Sequence, residues 1–309
     1  MNCLFIPFAT LDGYQTGANI TTKDISRSAE IYLKNICVAA VSAKINGTKD
    51  CPDTEIAVVT NIDVPEDYKT ILEKNDIKII HCPFDSFNFG AKYKWSLAFY
   101  KLCALKFMCD NYDYDALAFV DADVFVQGSL KNIWIEAENN ILLYDIVHGL
   151  QVECYTNFID DINKFKSLGL ITHRGGEFFA ANRENCNLFI DSCIDIYEEM
   201  VKCNIHCTSG DEFITSIVAN EFKDRIKNAA PYVFRFETGV FYLTTTRYKY
   251  NPISILHVPA EKTDGMVKIF DKYIRKGKLP KNKTAWKILH LIHPSLKVRL
   301  SQIYHHWKQ

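Results

Sequence analysis

Ala116-Leu117-Ala118-Phe119-Val120-Asp121-Ala122-Asp123-Val124-Phe125-Val126 is the stretch on which the reading of this chain turns. Five apolar residues in a row, with no polar alternation, mark a strand buried on both faces. Two carboxylates stand at its end. Residues two apart on an extended chain point the same way, so Asp121 and Asp123 can face one site while Ala122 faces the other side. Two buried negative charges repel and are costly to desolvate. A divalent cation with a taste for hard oxygen ligands, Mg²⁺ or Mn²⁺, removes that cost and can in turn hold a diphosphate. The nearby Asp113-Tyr114-Asp115 has the same spacing but precedes the strand, where it reads as turn chemistry.

Outward from this strand the chain alternates. Cys3 to Phe8 is a short apolar run that ends in the turn-like Ala9 to Gly13, and Glu55 to Thr60 and Ile77 to His81 are further strands. Helices fit Ala29 to Lys44, the segment after Pro65-Glu66-Asp67, and the stripe Trp95, Phe99, Leu102, Leu105, Cys109. Further on, Phe189, Cys193, Ile196 and Met200 form one helical face. Another helix opens near Ser209, and short strands fit Tyr232 to Phe236 and Ile253 to His257. Strands alternating with helices predict an α/β fold with a mostly parallel central sheet flanked by helices. Ligands in such sheets bind at the carboxyl ends of the strands, which is where Asp121 and Asp123 lie.

The segment Tyr100 to Leu130, YKLCALKFMCDNYDYDALAFVDADVFVQGSL, resembles the DxD region of GT-A (Rossmann-like) glycosyltransferases, with most similarity to the family 8 type that includes bacterial surface-polysaccharide galactosyl- and glucosyltransferases. Tyr100-Lys101-Leu102 matches the helix before the motif, and Val124-Phe125-Val126 the short strand after it. Ile255 to Lys262, ILHVPAEK, is similar to the late motif of that family. The resemblance implies that His257 completes a metal site with Asp121 and Asp123, and that Lys262 contacts a donor diphosphate. It also implies that Phe8, Ala9 and Thr10 lie where the nucleotide base is held, and that Lys101 and Ala122 line the donor site. Imidazole suits Mn²⁺, and an ammonium can neutralise a leaving diphosphate. The expected reaction is transfer of a hexose from a nucleotide sugar, a UDP-sugar in this family, to a saccharide or glycolipid acceptor. Retention of configuration is implied by the family; the sequence itself displays no clear nucleophile or base.

Acid candidates lie in the second half. Gly175 to Asn182, GGEFFAAN, fits an acceptor-facing strand on which two glycines permit close approach, and Glu177 is its acid. Ser209-Gly210-Asp211-Glu212 opens a helix; Ser209 and Glu212 fit a capping box. Asp211 is placed as the acid facing the donor sugar, in keeping with the family. SGDEF also resembles a diguanylate cyclase signature, but a helical pattern (Phe213, Ile214, Ile217, Val218) follows it here.

The net charge of −1 gives no global bias towards nucleic acid. Locally, however, eleven Lys and Arg after Gly265 are opposed only by Asp271. The stripe Leu289, Ile292, Leu296, Leu300, Ile303, Trp307, interrupted near Pro294, joins them in the pattern of a helix lying on an anionic membrane. The expected division is therefore a catalytic domain over residues 1–265 and a basic helical extension over 266–309. Eleven scattered Cys without a CxxC read as reduced thiols; Cys203, His206 and Cys207 lack further ligands at zinc-finger spacing. With no signal peptide or membrane span legible, the expected location is the cytoplasm, on the inner face of the plasma membrane. Three other readings compete: a haloacid-dehalogenase-type phosphatase, which shares DxD after an apolar strand but has Thr or Val where this chain has Phe125; a sugar-nucleotide nucleotidyltransferase, which needs a Gly-rich basic loop after the first strand; and an inactive membrane-surface scaffold.

Overall fold

A computed structural model describes residues 1–11, 25–91, 93, 95–146, 153–239 and 253–308. Its strands are β1 (Asn2–Phe8), β2 (Thr54–Thr60), β3 (Lys78–His81), β4 (Ala116–Val120), β5 (Val124–Val126), β6 (Ile141–Asp145), β7 (Arg174–Asn182), β8 (Ile226–Asn228), β9 (Val233–Arg235) and β10 (Ile255–His257). Seven form the central sheet in the order β3-β2-β1-β4-β7-β6-β8, and β5-β10-β9 form a small second sheet. The strands β3, β2, β1 and β4 run parallel, so their carboxyl ends share one edge. β7 reverses direction against both β4 and β6.

Helices cover both faces: α1 (Ile25–Ser42), α2 (Glu66–Lys74), α3 (Tyr100–Asn111), α4 (Lys131–Ala137), α5 (Glu153–Lys166), α6 (Arg183–Lys202), α7 (Asp211–Glu221), α8 (Gly265–Lys276), α9 (Asn282–Ile288) and α10 (Leu296–Lys308). Side-chain alternation sorts the buried strands into two cores. Leu4, Ile6, Ala118 and Val120 pack with Leu33, Ile36 and Val41 of α1. Cys3, Phe5, Leu117 and Phe119 pack with Leu102 and Leu105 of α3 and Phe189 and Cys193 of α6. That double burial is why ALAFV reads as one apolar run. The turn expected at Asp12-Gly13 lies outside the described residues.

The C-terminal region departs from the expected division. Met266, Ile269 and Phe270 of α8, Ala285 of α9, and Leu289 and Leu291 beyond it are buried in the same core as α1. Trp286 Nε1 donates to Gln127 Oε1 at 2.6 Å. The packed body therefore does not stop at residue 265. Nor is Leu289 to Trp307 one helical stripe: α9 ends before Leu289, and His290 has a left-handed backbone (φ 53°), which breaks the periodicity. In this region α10 presents apolar residues outward, with Leu296 72%, Leu300 57% and Ile303 54% exposed. The side chain of Trp307 is outside the described set. Among the described residues no helix is long and apolar enough to cross a membrane, and the cysteines are free thiols.

Candidate active site

The two carboxylates sit at the carboxyl end of β4 as expected, although the chain turns there instead of remaining extended. Asp121 and Asp123 still converge, because the second sheet brings a shared partner to both. β10 runs antiparallel to β5 and pairs His257 with Val124, directly after Asp123; Val258 N donates to Asp123 O at 3.0 Å. His257 Nε2 thereby lies 3.3 Å from Asp123 Oδ2 and 3.7 Å from Asp121 Oδ2. Ala122 is buried on the α1 side.

This trio fits a divalent cation. Asp123 Oδ2 and both nitrogens of His257 are buried and satisfied only by loose ion-pair contacts of 3.3 to 3.7 Å with one another, Lys262, Asp121 and Glu177, an arrangement that a bound cation would satisfy better. The three ligand atoms lie within 4.8 Å of one another, and two carboxylates with one imidazole form a donor set for Mn²⁺ or Mg²⁺. Burial works against a charged His257, yet Asp123 and Glu177 outweigh it and raise its pKa to about 9. Without a cation the pocket therefore takes up a proton, which metal would displace. A second acidic group, Glu261, Asp264 and His290, differs in this respect. There Glu261 already accepts from Thr238 Oγ1 at 2.7 Å and Gly265 N at 3.2 Å, and contacts His290 Nδ1 at 2.9 Å.

Lys262 follows a short 3-10 turn, Pro259–Glu261. Its Nζ lies 3.3 Å from Asp123 Oδ2 and 5.7 Å from the centre of the Tyr32 ring, while Asn35 Nδ2 fixes its carbonyl at 3.0 Å. Burial raises the Asp123 carboxyl, but Lys262 and His257 together hold it well below the usual range. Phe8 stacks on Tyr32 at 5.7 Å. Thr10, two residues beyond β1, exchanges two bonds with Asn61, at 3.0 and 2.9 Å. Phe8, Ala9 and Thr10 thus occupy the same sheet edge as Asp121.

Lys101, in the first turn of α3, bridges two acids: Asp121 Oδ1 at 3.3 Å and Asp211 Oδ2 at 3.0 Å. One ammonium shared between them is not enough for Asp211, whose pKa rises to about 7 through burial, with Glu212 and Asp121 adding repulsion. Gly176 makes this meeting possible. A Cβ there would overlap Asp211 Oδ2 and lie 2.7 Å from Lys101 Nζ.

Two acid readings change. Glu212 does not form a capping box with Ser209: Gly210, at φ 62°, is the N-cap and supplies no side chain. Instead Glu212 Oε2 meets His173 Nε2 at 2.8 Å. Glu177, expected as a catalytic acid, has a side chain with 0% exposure. Arg235 grips it twice, Nε to Oε1 at 2.8 Å and a terminal nitrogen to Oε2 at 2.7 Å. Burial works against the anion, but His257 and Arg235 bring its pKa down to about 2. Arg235 was not legible in the sequence; a lone Arg in a three-residue strand carries no signal until β9 is paired with β10. Cys203 is exposed and Cys207 is engaged by the Tyr93 hydroxyl, so they do not converge with His206 on a metal site.

No protein-family model and no curated protein matches the sequence. Solved structures do match. Galactosyltransferase LgtC in complex with donor and acceptor sugar analogs aligns with a TM-score of 0.55 at 16% identity, over 94% of this chain and 100% of LgtC. An active-site mutant of LgtC aligns at 0.53, with the same identity and coverage. Apo mouse xyloside xylosyltransferase 1 aligns at 0.52 and 12% identity, over 83% of this chain and 97% of its own. Identities this low speak for the fold and not for the substrate. The α/β architecture expected from the sequence is thus found, and the chain has the GT-A fold of these glycosyltransferases.

Proposed function

We propose that this protein is a metal-dependent glycosyltransferase that moves a hexose from a nucleotide sugar, a UDP-sugar, to a saccharide acceptor. The observation that carries the reading is the convergence of Asp121, Asp123 and His257, with Lys262 beside them, at the carboxyl edge of a GT-A sheet. Asp121, Asp123 and His257 would hold Mn²⁺ or Mg²⁺, which when bound supplies Lewis-acid stabilisation to a leaving diphosphate. Lys262 neutralises charge on the same group. Phe8, Ala9 and Thr10 line the base end of the donor, and Lys101, with the backbone of Ala122, the rest of the donor site. Asp211, whose pKa burial raises to about 7, faces the donor sugar and can exchange a hydrogen bond with its hydroxyls.

A lipid-linked acceptor fits the exposed apolar face of α10 and its flanking Lys297 and Arg299. On this reading the enzyme works peripherally on the anionic inner face of the plasma membrane, in the assembly of a surface glycan such as lipopolysaccharide or capsule.

Calorimetric titration of UDP with and without Mn²⁺, into wild type and Asp123→Ala, tests the donor site. Metal-dependent binding that the variant loses is the expected result. Failure of UDP and of the other nucleotides to bind would refute the reading and favour a phosphatase.

A further inference from the structure

Glu177 has an anionic carboxylate in the interior, and nothing in the donor chemistry above uses it. Its geometry excludes direct contact with substrate, since the side chain is fully buried and Arg235 occupies both oxygens. What it does face is His257. The imidazole turns Nε2 towards Asp121 and Asp123 and Nδ1 towards Glu177 Oε1, at 3.5 Å. Three strand pairings fix this alignment. Asp121 N donates to Glu177 O at 3.0 Å, continuing the β4–β7 ladder; β10 pairs His257 with Val124 on one side and with Arg235 of β9 on the other. Gly175 leaves the space that the carboxylate needs, because a Cβ there would overlap Glu177 Oε2.

We propose that Glu177, clamped by Arg235, is the positioning residue of the metal site: its carboxylate draws and holds the imidazole proton of His257 on Nδ1, as a hydrogen-bond acceptor, and so presents the Nε2 lone pair to the cation. The inference rests on the metal-dependent reading above. A histidine ligand is a good ligand only in one tautomer, and an outer carboxylate on its far nitrogen selects that tautomer and raises its basicity. Glu177 cannot swing away, because Arg235 binds it through two parallel bonds. Arg235 is itself held, with a terminal nitrogen 3.5 Å from Glu212 Oε1. The chain His257–Glu177–Arg235–Glu212 thus ties the metal ligand to the first turn of α7, where Asp211 begins.

The test measures Mn²⁺ binding to the full chain, with and without UDP, from the loss of the free-ion paramagnetic resonance signal. Wild type should bind and Asp123→Ala should not. Glu177→Gln keeps the shape but leaves one oxygen for two partners, and should weaken Mn²⁺ by about 10- to 100-fold. Arg235→Lys, which keeps the carboxylate but loosens it, should weaken Mn²⁺ less. If wild type binds no Mn²⁺, the metal-dependent reading falls and this inference with it. If Asp123→Ala abolishes binding while Glu177→Gln binds as tightly as wild type, only the positioning role is overturned. The tautomer supplies a readout that depends on no variant at Glu177. In the protein loaded with Mg²⁺ and UDP, ¹⁵N imidazole spectra, assigned with His257→Gln, should place the proton on Nδ1; a proton on Nε2 overturns the proposal.

Discussion

Asp211→Asn should stabilise the metal-free protein at pH 8, against the ordinary expectation for a residue in an ion pair. Asp211 is buried at the start of α7, with Lys101 Nζ 3.0 Å away, and its carboxyl is nonetheless pushed from 3.8 to about 7. The cause is burial first, assisted by Glu212 and Asp121, against which Lys101 is already committed to Asp121. A folded-state value above the unfolded one means that the folded protein binds the proton more tightly. Stability from this group is then full below about pH 4 and lost as pH rises through about 7. At 1.36 kcal/mol per pH unit, a carboxyl moved from 3.8 to about 7 costs about 4 kcal/mol once it is ionised in the folded protein. Asparagine keeps the shape and removes that cost, so about 4 kcal/mol is the ceiling of the gain. Urea unfolding in the presence of a chelator, at intervals from pH 4 to pH 8, measures it. The gain should be largest at pH 8, shrink through pH 6 and vanish near pH 4, and saturating Mn²⁺ and UDP should reduce it. A variant less stable than wild type at pH 8, or a gain independent of pH, would refute the reasoning. A confirmed gain would mean that the chain tolerates a destabilising acid at this place, the pattern of a residue kept for chemistry.

Two further perturbations separate the parts of the site and the tail. Gly176→Ala puts a methyl group onto Asp211 Oδ2 and against Lys101 Nζ; since both are ends of flexible side chains, the fold should survive, while sugar transfer falls about 100-fold. Steady-state kinetics with unchanged Mn²⁺-dependent UDP affinity is the expected signature, and wild-type turnover would show that the placement of Asp211 and Lys101 is irrelevant. Ending the chain after Ser295 removes α10 alone and should abolish flotation with anionic vesicles at low salt without moving the urea midpoint. Ending it after Ile288 also removes the buried Leu289 and Leu291, and should destabilise by about 2–5 kcal/mol for each.

These outcomes bear on why some of this molecule is written locally in its sequence and some is not. The donor edge is local. A strand buried on both faces must be apolar throughout, so the first acids after Val120 announce where the sheet opens, and Asp121 and Asp123 need only two residues of chain to meet. His257 and Lys262 lie far away in sequence, and it is the resemblance of ILHVPAEK to a family motif, not any periodicity, that links them to Asp121 and Asp123. Two readings failed for a common reason. The stripe from Leu289 to Trp307, interrupted near Pro294, and the capping box from Ser209 to Glu212 both require ordinary right-handed backbone, at His290 and at Gly210. His290 at φ 53° and Gly210 at φ 62° break that requirement, sending Leu289 and Leu291 into the core and Glu212 towards His173. The Glu177–Arg235 clamp lay beyond both kinds of clue. Arg235 sits on the three-residue β9 and matches no motif, and its meeting with Glu177 of β7 depends on two registers at once, β4 against β7 and β10 against β9. A buried carboxylate at 0% exposure and an arginine bound to it twice are costly to assemble. Their placement behind the imidazole that faces Asp121 and Asp123 gives that cost a purpose on the proposed reading, which is to hold His257 in the single tautomer that can bind a cation.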